Sequence, residues 1–171
     1  MTVPLIGERY RGVEGHTGYL LWQASHTLRT ALDATLRRHN LNAPQYAVLS
    51  VLARDPGSSG ADLARACNTT PQATNGVLVT LEREGLIERH PHPTHGRILQ
   101  VALTEEGQRR LEAANPAVRE ISATIEAGLG PDEIAAIKAW LVESAARLER
   151  RAKESPSPAT ERLRATTHAP P

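Results

Sequence analysis

Residues 62–89 can be read in essentially one way. They run Asp-Leu-Ala-Arg-Ala-Cys-Asn-Thr-Thr-Pro-Gln-Ala-Thr-Asn-Gly-Val-Leu-Val-Thr-Leu-Glu-Arg-Glu-Gly-Leu-Ile-Glu-Arg. Ser59, three residues before Asp62, has capping-box spacing, with Asp in place of the usual Glu. Leu63 and Ala64 form the inward side of a short helix that Asn68-Thr69 closes. Thr70 then caps a second helix, and Pro71 takes its first position, where a missing N–H is harmless. Thr74, Val77, Leu78 and Leu81 fall on one stripe of that helix, and Gly85 is the residue that stops it.

After Gly85 the period changes. Residues 86–89 and 98–103 read as two short strands, and the His-Pro-rich stretch 90–96 between them reads as a loop, giving a hairpin with a long tip. The flanks are helical. A long helix is expected over 17–39, with Leu20, Leu21, Ala24, Leu28, Ala31, Leu32 and Leu36 at helical spacing. A second starts near Ala43, with Pro44 in its first turn, and ends at Asp55-Pro56-Gly57. Thr104-Glu105-Glu106 opens a further helix, its carboxylates placed to meet the N-terminal dipole. Leu111, Ala114, Val118, Ile121 and Ile125 recur on it by threes and fours. Pro131-Asp132-Glu133 starts the last helix, striped by Ile134, Ile137, Leu141 and Leu148. Residues 1–15 read as an irregular arm. The order is four helices, a hairpin and two helices: a mainly α chain with a winged helix-turn-helix at its centre.

Composition narrows the function. Aromatics are 3% and Phe is absent, so the core is aliphatic, which favours helix packing over a sheet sandwich. With 20 basic and 19 acidic residues the net charge is +1, so any nucleic-acid contact comes from a local cluster and not from the total. The single cysteine, Cys67, cannot form an intrachain disulfide, which fits a reducing compartment. There is no secretory signal pattern and no apolar run long enough to cross a membrane, so a cytoplasmic protein without membrane contact is expected. No Gly-rich phosphate loop, nucleophile elbow or paired catalytic carboxylates occur, so an enzyme is not expected, and no cofactor is implied.

A short helix, a tight turn and a second helix whose N-terminus can enter a major groove suit DNA recognition. Gln72, Ala73, Asn75 and Gly76 point away from the apolar stripe. Gln and Asn can pair bidentately with adenine, and Ala73 can meet a thymine methyl. At this point the chain resembles the MarR family of bacterial regulators, over about residues 17–153 and most sharply over 62–107. The carriers are Leu63-Ala64, the turn, Thr70-Pro71, Leu81-Glu82-x-x-Gly85-Leu86-Ile87-x-Arg89, and the run Gly-Arg-Ile-Leu-Gln-Val-Ala-Leu-Thr-Glu-Glu-Gly over 96–107. The resemblance implies a homodimer built from the first and the last two helices, each copy placing one recognition helix and one wing on a palindromic DNA operator, usually as a repressor. It divides the chain into an arm and dimerisation helix (1–42), a winged DNA-binding domain (43–104) and C-terminal dimerisation helices (105–153), and the Pro-, Ser-, Thr- and Ala-rich composition of 154–171 reads as a disordered tail.

The implied DNA-binding residues are Thr70, Gln72, Ala73, Asn75, His95 and Arg97, with Ser59 and Arg89 as phosphate partners. The family usually has an Asp two residues before the wing arginine, where this chain has His95. Family members often carry basic residues where this chain has Gly76 and Thr80, which implies a salt slope shallower by roughly 0.9 per missing contact. The heptad-like stripe of Leu111 to Ile125 is expected to be a dimer seam. Trp22 and Trp140, on the outer helices, are expected at that interface or lining a cavity for a small-molecule effector. His90, His92 and His95 cluster in the loop, but two prolines disfavour a chelating geometry, so no metal site is expected. Cys67 reads as a small core residue. Two rivals remain: a metal- or redox-responsive sensor using the wing histidines or Cys67, and an interaction scaffold that has lost DNA binding.

Overall fold

The computed structural model describes residues 3–91 and 99–154. Within them the order is α1 (Thr17–Leu36), α2 (Ala43–Arg54), α3 (Gly60–Ala66), α4 (Pro71–Arg83), β1 (Ile87–Pro91), β2 (Leu99–Leu103), α5 (Glu105–Glu126) and α6 (Pro131–Glu154), with 3-10 turns at Arg9–Arg11 and Arg37–His39. The expected winged helix-turn-helix is present. The chain separates into two compact units, one up to Ile125 and one from Glu126.

Local chemistry sets the helix starts. Asn42 caps α2 by accepting from the Gln45 amide at 2.9 Å, while the Gln45 side chain accepts from the Asn42 N–H at 3.0 Å, a reciprocal box that satisfies two otherwise orphan donors. Ser59 and Asp62 form the same box at α3. Asn68 takes a left-handed conformation (φ 51°), which an asparagine tolerates, and Thr69 N–H then reaches back to Ala64 C=O at 2.9 Å. Thr70 immediately caps α4, its hydroxyl accepting from the Ala73 amide at 3.2 Å.

These helices enclose an aliphatic core. Leu36, Leu49, Leu52, Leu63, Leu81 and Leu86 are fully buried, and Val101 from β2 joins them. Each such leucine contributes about 1.5–3 kcal/mol by leaving water. Strands β1 and β2 pair antiparallel from Ile87 opposite Leu103 to Pro91 opposite Leu99. Ser59 bridges to Gln100, and Gly57 N–H and Ser58 C=O bond to Val101 at 3.2 and 3.1 Å, so the segment before α3 borders the wing root.

Several boundaries differ from the sequence reading. The first helix turns 3-10 over its last three expected residues. Strand β1 begins one residue later than expected and runs two residues further, through His90 and Pro91. Proline is tolerated there because the strand is at an edge and nearly over. The arm contains a 3-10 turn tied to α1: Arg11 Nε donates to Gln23 Oε1 at 2.9 Å, and Gln23 Nε2 donates to Arg11 C=O at 3.2 Å. The α5 stripe divides. Leu111 and Ala114 are buried in the core, Val118 and Ile121 are half-buried, and Ile125 is exposed. Helix α6 has no buried residue, and Ile137, Trp140, Leu141 and Leu148 of its apolar stripe are exposed. No helix among the described residues is long and apolar enough to cross a membrane.

Candidate nucleic-acid interface

Helix α4 has two chemically distinct sides. Thr74, Leu78 and Leu81 are buried, and Thr74 is further fixed by a 2.6 Å hydroxyl contact with Thr69 across the turn. Locking that side into the core leaves Gln72, Ala73, Asn75 and Gly76 exposed together on the first two turns. Nothing lies within 4 Å of where a side chain on Gly76 would begin, so the surface there is open. Thr80, half-buried, donates its hydroxyl to Gly76 C=O at 3.0 Å. Beyond these residues the basic group on this helix is Arg83, in its last turn.

A hollow of about 440 Å³ opens beside this surface, lined by Ser59, Gly60, Pro71, Asn75, Arg89 and Val101 among others. The hydroxyl of Ser59 is occupied: it accepts from the Asp62 amide and lies 2.6 Å from the Asp62 carboxylate. The Ser59 hydroxyl and the Ser59 backbone N–H, which donates to Asp62 Oδ2 at 3.1 Å, hold the Asp62 carboxyl below the usual aspartate range, with Arg65 adding to the effect. Arg89 is mostly enclosed at the wing root, with Nε 3.1 Å from Glu82 Oε2.

A MarR-family sequence profile matches residues 39–98. The HTH-type transcriptional repressor Rv2887 of Mycobacterium tuberculosis is 38% identical over 112 residues, which is 66% of this chain and 81% of that protein. The chain belongs to the MarR family. The homoprotocatechuate degradative operon repressor of Escherichia coli is 35% identical over 108 residues, 63% of this chain and 72% of the relative. Among solved structures, the S. aureus MepR–DNA complex superposes with a TM-score of 0.72 at 26% identity, covering 80% of this chain and 99% of MepR. Rv2887 in complex with p-aminosalicylic acid superposes with a TM-score of 0.61 at 32% identity, covering 76% of this chain and 98% of Rv2887.

In this MarR-family transcriptional regulator, the residues singled out from sequence that the structure describes sit at Thr70, the cap of α4, at Gln72, Ala73 and Asn75 in its first two turns, at Ser59, the cap of α3, and at Arg89 in β1. Asn75, Ser59 and Arg89 share the hollow. His92, His95 and Arg97 lie outside the described residues. His90 contacts Glu88, Nε2 to Oε1 at 3.1 Å. Trp22 is 64% exposed and belongs to a ring ladder: it stacks on His26 at 5.8 Å, lies 6.1 Å from Tyr19, and Tyr19 meets Tyr10 edge-on.

A second hollow, about 280 Å³, lies between α1, α2 and the α3–α4 turn, with Leu28, Arg29, Leu32, Ala47, Cys67 and Val77 in its wall. Trp22 is not among its lining residues. Burial pushes the Cys67 thiol up, away from the reactive thiolate. Sequence reasoning missed both this hollow and the Glu82–Arg89 contact. The alternation of Leu28, Leu32 and Val77 was visible, but it reads as core until the helices are placed.

Proposed function

We propose that this regulator works as a homodimeric repressor, two copies presenting the N-terminal turns of α4 to successive major grooves of a palindromic operator. The observation that carries this reading is the two-sidedness of α4: the core holds Thr74, Leu78 and Leu81, which leaves the side chains of Gln72, Ala73 and Asn75 exposed. Gln72 and Asn75 read adenine edges, Ala73 packs on a thymine methyl, and Thr70 orients the helix tip. Arg89 holds a phosphate, whereas Ser59, whose hydroxyl and N–H both donate to Asp62, serves as the cap of α3. Arg97, preceded by His95, reaches the minor groove or backbone from the wing tip. The uncovered apolar stripes of α1 and α6 support the two-copy assembly, since Leu28, Trp22, Ile137, Trp140 and Leu148 are all exposed in the single chain. Trp22 is assigned to that seam and not to the ligand.

The effector is placed in the second hollow. A relative of this chain is known in complex with p-aminosalicylic acid, and Arg29 beside Leu28, Leu32 and Val77 offers a cation with an apolar wall to an aromatic acid. Occupying the hollow, which α1 shares with α2 and the recognition turn, shifts the spacing of the two α4 tips and so the fit to half-sites.

Gel-shift titration on the duplex upstream of the gene, over a range of salt, tests the DNA reading. Gln72→Ala and Asn75→Ala are each expected to weaken specific binding by about 5- to 150-fold, equivalent to about 1–3 kcal/mol per base contact, with non-specific binding unchanged. Absence of specific binding, or binding indifferent to both substitutions, contradicts it. One observation favours a second reading, an interaction scaffold without DNA affinity: the exposed α4 surface around Gly76 and Thr80 carries no basic residue before Arg83. The same titration separates the two.

A further inference from the structure

We propose that Glu82 is a built-in competitor for Arg89, an intramolecular latch that DNA must open, so that Glu82 sets operator affinity without touching DNA. This rests on the DNA-binding reading above and adds a regulatory residue to it.

The contact between the two side chains is incomplete. Arg89 Nε lies 3.1 Å from Glu82 Oε2, close enough for charge attraction. Yet Nε and Nη2 are buried without a hydrogen-bond partner among the described residues, so the carboxylate is out of line with the N–H. A buried guanidinium nitrogen with no aligned acceptor is in a poor seat, and an acceptor offering better geometry draws it away. The Arg89 side chain is only 17% exposed, whereas that of Glu82 is 45% exposed. The latch is therefore a wet carboxylate holding an enclosed cation.

The alternative seat adjoins it. Arg89 lines the 440 Å³ hollow, and among the described residues of that lining it is the one charged side chain; the others are Ser59, Gly60, Ala61, Pro71, Asn75, Leu78, Leu99 and Val101. Glu82 is outside the lining, and the Asp62 carboxylate next to it is engaged by the Ser59 hydroxyl and N–H. The chemical class that fits is a phosphodiester oxygen, which accepts a bidentate guanidinium and which the exposed Gln72–Asn75 surface would bring to the mouth of the hollow. When the backbone phosphate enters, Arg89 exchanges Glu82 for it. Glu82 is thus a positioning residue: it keeps the arginine folded at the wing root in the free protein and subtracts from the affinity of the complex.

A double-mutant cycle on the full chain tests the exchange, using a duplex that binds the wild-type protein and measuring the dissociation constant over a series of salt concentrations. Glu82→Gln is expected to tighten binding about 3- to 10-fold. Arg89→Gln is expected to weaken it and to flatten the salt slope by roughly 0.9, the signature of one lost phosphate contact that a merely structural role would not produce. In the Arg89→Gln background Glu82→Gln is expected to have no effect. Thermal melting of each variant checks folding, and Arg89→Lys, which keeps the charge, is expected to retain the slope if Arg89→Gln does not fold. Weaker binding by Glu82→Gln, which marks the pair as a brace, overturns the latch. So does equal tightening with and without Arg89, which marks general charge repulsion. Failure of the wild-type protein to bind any duplex overturns the DNA-binding reading and the latch together; wild-type binding without Arg89-dependent coupling overturns the latch alone.

Discussion

One substitution, glycine to alanine, is expected to act with opposite sign on two helices of this chain. Gly76 lies in the interior of α4 with open space where a Cβ would sit. Alanine there loses no contact and removes the backbone entropy that glycine surrenders on folding, which stabilises by about 0.5–1 kcal/mol. Gly107 lies in the first turn of α5, buried, and its Cβ would fall far inside contact distance of the Leu86 carbonyl oxygen and 3.4 Å from Leu103 Cδ2. That oxygen accepts the Thr104 N–H at 3.1 Å, while the Thr104 hydroxyl donates to Gly85 C=O at 2.7 Å and accepts from the Gly107 amide at 3.0 Å. Alanine must push the start of β1 off the start of α5. Overpacking of this kind costs about 1–3 kcal/mol, and the strained hydrogen bond about 1 more. The helical gain of alanine offsets up to about 1 kcal/mol of it. The net is a loss of about 1–4 kcal/mol. Urea unfolding at one fixed protein concentration measures both, because the apparent stability of an assembling protein depends on concentration. Shifts of the same sign, or Gly107→Ala within about 0.5 kcal/mol of wild type, would refute the packing argument.

Gly76→Arg restores a cation on the recognition surface and is expected to tighten operator binding and steepen the salt slope by roughly 0.9; an unchanged slope places Gly76 away from phosphate. Tyr46 Oη donates to Asn115 Oδ1 at 2.9 Å, joining α2 to α5, and Tyr46→Phe is expected to lower stability by about 0.5–1.5 kcal/mol in the same urea assay; no change means the bond is not made in solution. The Asp62 carboxyl is held below its ordinary range by Ser59, so the stability it adds is fully present near neutral pH and is lost as the pH falls through that lowered value. The melting difference between wild type and Asp62→Ala is therefore expected to shrink only below the ordinary aspartate range, and a difference that widens on acidification contradicts the box.

Elements that announce themselves through caps were legible in the sequence. Ser59-x-x-Asp62, Thr70-Pro71 and Gly85 carry their geometry in three or four neighbouring residues, and the structure starts and stops α3 and α4 there. The wing bounds were less legible, because prolines at 91 and 93 argue for loop while an edge position lets Pro91 end a strand. Periodicity showed that the α5 stripe is apolar but not where its cover ends: Leu111 and Ala114 meet the core of the winged unit, whereas Ile125 does not. The Glu82–Arg89 contact depends on the chain reversing at Gly85, where φ is 69°, so seven residues of separation bring two charges together that no helical or strand spacing would pair.

The central claim, two copies reading two grooves through α4, is tested most directly by hydroxyl-radical footprinting on a duplex selected from a random-sequence library. The account predicts two symmetric protected patches with centres about one helical turn, roughly 10 base pairs, apart, both abolished by Gln72→Ala with Asn75→Ala. A single unpaired patch, or protection that survives that double substitution, would contradict it.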